Sequence, residues 1–145
     1  MTTDNWQALF DGQSRYRLEI NDSRVNADIL NFHGREALSA PSEWRIEFTT
    51  PQGDIAAEDV LLKYATLSMR SGRVVQGVIT AFEWLGVTAD QTHYSVTLSS
   101  RLALLSHTRR CAVYQNLSVP ELVEQVLRRH GLEGADFEFL LEKRY

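Results

Sequence analysis

Residues 64–99 read YATLSMRSGRVVQGVITAFEWLGVTADQTHYSVTLS, and the fold class turns on whether this run is strand or helix. Side-chain character alternates through residues 63–69, the period of a pleated strand rather than a helical turn. Residues 73–85 are apolar and β-branched enough for a long strand, and Ser71-Gly72 between the two runs reads as a hairpin turn. Gly77 interrupts the second arm. A glycine there gives up packing and backbone entropy, so a bulge or sharp bend is expected. After the loop GVTADQ, Tyr94, Val96 and Leu98 alternate with Ser95, Thr97 and Ser99, a third strand.

The same period runs outward from this centre. Tyr16, Leu18 and Ile20 alternate with Arg17, Glu19 and Asn21, and Asn21-Asp22-Ser23 follows as a turn. Residues 25–32 form another β candidate, ended by Gly34. The segment HGREALSAPSE, residues 33–43, reads as a connector with Pro41 as a breaker. Trp44, Ile46 and Phe48 then alternate with Arg45, Glu47 and Thr49, and the turn Pro51-Gln52-Gly53-Asp54 closes that strand. Residues 55–62 suit a short helical or irregular approach. Six strands before residue 100, mostly on short turns, predict a mainly β fold with some α, an antiparallel barrel or sandwich.

Beyond residue 100 the period changes. Leu102, Leu104 and Leu105 crowd into one helical turn, followed by Arg109, Arg110 and a short apolar, strand-like piece over 111–114. The stretch 114–132, YQNLSVPELVEQVLRRHGL, is a bounded helix. Ser118 is its N-cap, Glu121 completes a capping box, and Pro120 lies in the first turn, where its missing N–H costs nothing. Val119, Leu122, Val123, Val126 and Leu127 make one apolar stripe. Arg128, Arg129 and His130 complement the C-terminal dipole, and Gly131 suits the left-handed position past the end. So short a helix barely forms alone in water, so it is expected to dock its stripe on an apolar wall, and an aspartate at Leu122 or Val126 is expected to be strongly disruptive. Phe137, Phe139 and Leu141 alternate as if a further strand begins.

Composition excludes several classes of function. Of 145 residues 43% are apolar and 23% charged, the profile of an ordinary globular chain. Fifteen basic against 19 acidic residues leave a net charge of -4, which repels phosphate backbones and anionic lipid. A nucleic-acid partner is not expected. The single cysteine, Cys111, forms no bridge within the chain, which fits a reducing compartment such as the cytoplasm. The opening MTTDNWQALFDGQ has neither a basic nor a long apolar region, and no run of 18 apolar residues occurs, so no export signal and no stable membrane anchor are expected.

Each candidate for chemistry has a plainer reading. His107 and Cys111 could meet on a helix as base and thiolate, the core of a hydrolase, but a buried inert thiol is the common case. His33, His93, His107 and His130 have no local metal spacing. Glu58 with Asp59 and Glu133 with Asp136 could pair for acid–base work, or simply sit in solvated turns. The glycines form no phosphate-cradling loop with a following lysine. Trp6, Trp44 and Trp84 could line a cavity for a small ligand or carbohydrate, although Trp44 and Trp84 lie in strand patterns that favour core. Arg109 and Arg110 could grip an acidic partner or form a solvated basic turn. No catalytic, cofactor-binding or metal-ligating residue is therefore assigned.

The run LSSRLALLSHTRRCAVYQNLSVPELVEQVLRRHG resembles a stretch of the VgrG spike proteins of type VI secretion and of the related phage late control D and tail-hub proteins. Shared in order are the strand 94–99, the leucine turn 102–105, the link Arg109-Arg110, Tyr114-Gln115 and a helix opening Ser118-Val119-Pro120. VVQGVITAF, residues 74–82, is similar to the family's aromatic-x-Gly-Ile-Val-Thr strand, with Gly77 in the glycine place and Gln76 where an aromatic is usual. The resemblance implies an antiparallel barrel-like tube domain of a hub, followed by a short helix. It divides the chain into a tail (1–14), the first hub β-barrel (15–115), and a packing helix with the start of the next segment (116–145), part of a longer polypeptide. Its structural motif residues here are Gly77, Ser118, Pro120, Glu121, Leu122 and Val126. The implied role is structural: a homotrimer seated on an Hcp-type tube hexamer among baseplate proteins, assembled in the cytoplasm and exported by its own machine. A phage tail baseplate hub is the alternative within the family.

Overall fold

In the computed structural model, which describes residues 16–143, the alternating run 64–99 becomes three antiparallel strands of one sheet. The strands are β1 (Arg17–Ile20), β2 (Asp28–Ala37), β3 (Ala40–Thr50), β4 (Tyr64–Ser68), β5 (Val74–Val87) and β6 (Thr92–Ser99). Their order across the sheet is β1-β4-β5-β6-β3-β2, with every neighbouring pair antiparallel. The two outer strands curl back towards each other: Leu18 of β1 bridges Ala27, just before β2, and the rings of Tyr16 and Phe32 meet edge to face at 5.0 Å. The expected barrel-like fold is thus a single antiparallel sheet curled towards closure, its outer strands joined at the Leu18–Ala27 bridge.

Its core comes from the inward halves of the alternating strands. Ile46, Phe48, Leu67, Ile79 and Val96 have no exposed surface, and Leu18, Ala65 and Leu98 are nearly as enclosed. Aromatic groups fill both ends. At one, Phe32 packs on Trp44 at 6.1 Å, the Arg73 guanidinium lies 5.4 Å from the Trp44 ring centre, and Arg73 pairs with Glu36 at 2.6 Å. At the other, Tyr94 lies between Phe48 (5.9 Å) and Phe82 (5.0 Å), and its hydroxyl accepts the Ile55 N–H at 3.3 Å. That last bond ties the irregular segment after β3 across the end of the core.

Two expectations about this sheet need correction. Residues 33–43 are not a connector but the arms of the β2–β3 hairpin, reversing at Leu38-Ser39 with Ser39 left-handed (φ 61°). Gly34 does not end β2. It faces Trp44 across the pair, and a Cβ there would fall 2.2 Å from the indole, so the glycine is the seat of the tryptophan. Pro41 is tolerated because the β2–β3 register shifts between Arg35 and Ala37 and β3 meets β6 only from Glu43 onward. Gly77, in turn, marks no bulge: it pairs regularly with Ala65, and the irregularities of β5 lie at Thr80 and Leu85. What Gly77 permits is close approach, since a Cβ would sit 2.3 Å from the Ser99 carbonyl oxygen.

The chain divides into two compact units, Met1–Ala103 and Leu104–Tyr145. The second contains the end of a 3-10 turn (Arg101–His107), an irregular link, and the helix α1 (Val119–Arg129). Ser118 and Glu121 form the capping box, with the Glu121 carboxylate accepting the Ser118 N–H at 2.8 Å and its hydroxyl at 2.6 Å. Past the end, Gly131 is left-handed (φ 78°), its N–H bonds Arg128 O at 3.0 Å, and Leu132 N–H bonds Leu127 O at 3.1 Å. This is the Schellman arrangement, with Leu132 buried as its hydrophobic partner. None of the helix residues is buried, however: Leu122, Val123, Val126 and Leu127 are half-buried and Val119 is 65% exposed. Residues 137–141 form no strand, because nothing among the described residues pairs with them, although the Phe137 and Phe139 rings touch at 5.6 Å.

Candidate functional site

The chemistry-bearing side chains do not converge. His107 ends the 3-10 turn and Cys111 lies exposed in the irregular link, not the buried strand its apolar neighbours suggested. The helical turn needed to bring thiol and imidazole together is not formed there. Among the described residues no group of three His, Cys, Asp or Glu is disposed to hold a metal ion. Glu58 and Asp59 are the last two residues of a short 3-10 helix, Ala57–Asp59. Asp136 accepts the Glu133 N–H at 2.8 Å while its own N–H bonds Glu133 O, so that acidic pair closes a turn.

The tryptophans part company. Trp44 is core, as its strand position implied. Trp84 is not: it is 64% exposed. Both face inward by register, Trp44 opposite Leu98 and Trp84 opposite Tyr94. The difference is position along the strand. β5 pairs with β4 over Val74–Val78 and with β6 from Val78 to Val87, so its second half runs on past the filled part of the barrel. Trp6 lies outside the described residues.

This overrun leaves large apolar side chains exposed on the sheet. Trp84, Leu85 and Val87 all stand out, at 64%, 43% and 67%, and Trp84 and Val87 share a cleft of about 300 Å³ with Gly53, Asp54, Thr92 and Tyr94. Along residues 81–87 the side of β5 away from β6 has no strand partner among the described residues. Exposed apolar edges of that kind commonly mark interaction surfaces. The outer face beneath it is polar and tied together. Arg45 on β3 reaches Glu83 on β5 at 3.1 Å, across the intervening strand β6.

The predicted motif residues fall in two places. Gly77 lies where β5 changes partner from β4 to β6. Ser118, Pro120 and Glu121 form the start of α1, and Leu122 and Val126 lie on its half-buried stripe. Sequence reasoning missed Gly34, whose partner Trp44 is ten residues away, and the exposure of Trp84, for which strand period carries no signal. Among the described residues no helix is long and apolar enough to cross a membrane.

Comparison with known proteins agrees with this architecture. Residues 35–145 match the family model described as phage tail baseplate hub (GPD). The chain is 32% identical over 130 residues to the type VI secretion system spike protein VgrG5 of Pseudomonas aeruginosa, covering 89% of this chain and 16% of that protein. It is likewise 32% identical over 136 residues to VgrG1b of the same organism, covering 89% and 18%. The chain thus spans less than a fifth of either relative. Among solved structures it resembles the E. coli c3393 protein, described as a component of the type VI secretion system with structural similarity to the T4 bacteriophage tail proteins gp27 and gp5. That likeness has a TM-score of 0.86 at 41% identity and covers 89% of this chain and 36% of the other. The chain belongs to the phage tail baseplate hub family that includes the VgrG spikes.

Proposed function

We propose that this chain is a hub segment of a type VI secretion spike. In this reading residues 15–115 are the first of the barrels that line a hub, the full polypeptide assembles as a homotrimer, and the resulting ring seats on an Hcp-type tube hexamer among baseplate proteins. The role is mechanical, and export proceeds through the machine itself. The observation that carries the reading is the rolled antiparallel sheet, similar at a TM-score of 0.86 to a type VI component, with an apolar inner-face edge at Trp84 and Val87 left uncovered. A ring of identical chains covers such edges with neighbouring copies, and the half-buried stripe of α1 is a second surface for the same purpose.

The test uses the full-length polypeptide that carries this region. Light scattering should give a trimer, and deletion of its gene should abolish release of the tube protein into the medium. A polypeptide that stays monomeric at high concentration, together with normal tube release in the deletion strain, overturns the proposal. The family model itself supports one second reading, a phage tail baseplate hub. Loss of infectious particles with no effect on tube-protein release decides for it.

A further inference from the structure

The second unit contains a pocket lined in part by charged side chains. It has a volume of about 270 Å³ and lies against the C-terminal half of α1. Leu105 and Val126 are its apolar lining residues, and Arg110, Arg129, His130 and Tyr114 line it as well. Cations near the end of a helix have a routine explanation, because they offset the partial negative charge of the last carbonyls. Arg128 is accounted for in a similar way: it pairs with Glu124 at 2.8 Å and lies over the Phe137 ring.

Arg110 is exposed and lies outside the helix, so the helix end does not account for its position. It comes from the irregular link, not from the helix, yet it borders the same small cavity as Arg129. Among the described residues neither guanidinium has an ion-pair partner. Two positive side chains that border one cavity repel, and an anion bound between them would replace that repulsion with charge-assisted contacts. We infer that this pocket is a receptor for the carboxylate side chain of an acidic segment on a partner protein. The carboxylate suits the planar guanidinium fork, and the Leu105 and Val126 lining suits the methylenes that carry it. The net charge of -4 disfavours a long polyanion. The site does not depend on the hub role, and its test reads out separately.

The experiment is calorimetric titration of the 145-residue chain with a glutamate-rich hexapeptide, its glutamine counterpart, and inorganic phosphate. The glutamate peptide should bind saturably and more weakly as salt is added, and the glutamine peptide should not bind. Arg110→Ala and Arg129→Ala should each weaken binding at least tenfold, while Arg109→Ala, which changes a neighbour outside the pocket lining, should leave it within twofold. Arg110→Lys and Arg129→Lys keep the charge and remove the fork. They should give intermediate weakening with unaltered thermal unfolding, which separates binding from any folding defect. Unchanged binding in an Arg110→Ala/Arg129→Ala double variant overturns the proposal. So does phosphate that binds as tightly as the peptide, which would mark a simple anion site. Self-association of the chain that the double variant abolishes would assign the pocket to a second copy and overturn it as well.

Discussion

Replacing Gly77 by alanine tests the account of the barrel most directly, because the expected sign is opposite to the usual one. Gly77 has no positive φ, and at such a position Gly→Ala ordinarily stabilises by about 0.4–1 kcal/mol through the unfolded chain. Here the new methyl group would lie 2.3 Å from the Ser99 carbonyl oxygen, 3.0 Å from its carbon and 3.4 Å from Leu98 Cδ1. Favourable carbon contacts lie near 3.5–4.0 Å, so β6 must retreat by about 1 Å. The obstacle is backbone and cannot rotate aside. Ser99 is paired on both flanks, with Val78 of β5 and Glu43 of β3, so the retreat strains two ladders. Overpacking of this kind costs about 1–3 kcal/mol and a weakened backbone hydrogen bond about 1 more. After the entropy gain the net loss is about 2 kcal/mol, a fall in Tm of about 10 °C for a unit of this size. Thermal unfolding followed by circular dichroism measures it, with Gly53→Ala as control, since a Cβ at Gly53 meets nothing within 4 Å. A Gly77→Ala protein that melts within about 2 °C of the parent, or above it, refutes the close-approach argument.

The two tryptophans should diverge in urea denaturation. Trp44→Ala should cost about 3–5 kcal/mol, as for a large core side chain, and Trp84→Ala less than about 1 kcal/mol; equal losses would mean that the exposed edge is in fact packed. At the ends of α1, Ser118→Ala should cost about 1 kcal/mol of helix stability, and Gly131→Ala about 1–2 kcal/mol because of its left-handed backbone. Both should appear as reduced helical signal at elevated temperature, and full helicity in either would count against the capping described.

Strand identity, face and helix limits were legible because each depends on neighbours close in sequence. The alternation of Tyr94, Val96 and Leu98 places them on the core face without reference to any partner. Ser118, Glu121 and Gly131 terminate α1 through hydrogen bonds that span only a few residues. These local rules also led to the expectation of an antiparallel barrel or sandwich, which the resemblance to the hub family narrowed to a barrel. They misread residues 33–43, where Gly34 and Pro41 resemble punctuation, because what makes them tolerable is a tryptophan on the opposite strand and a register shift.

Tertiary structure alone decided how far the core reaches along each strand, and so which inward-facing groups are covered. Period distinguishes the two faces of a strand, but Trp44 and Trp84 obey the same period and end at 8% and 64% exposure. The same holds for Gly77, whose value lies in the Ser99 carbonyl 22 residues away, and for Arg110 and Arg129, which meet at one cavity only after the link has turned along the helix. Sequence by itself determines what repeats locally. Contacts that depend on which segments lie side by side, and on where a rolled sheet stops being filled, arise only when the chain closes on itself.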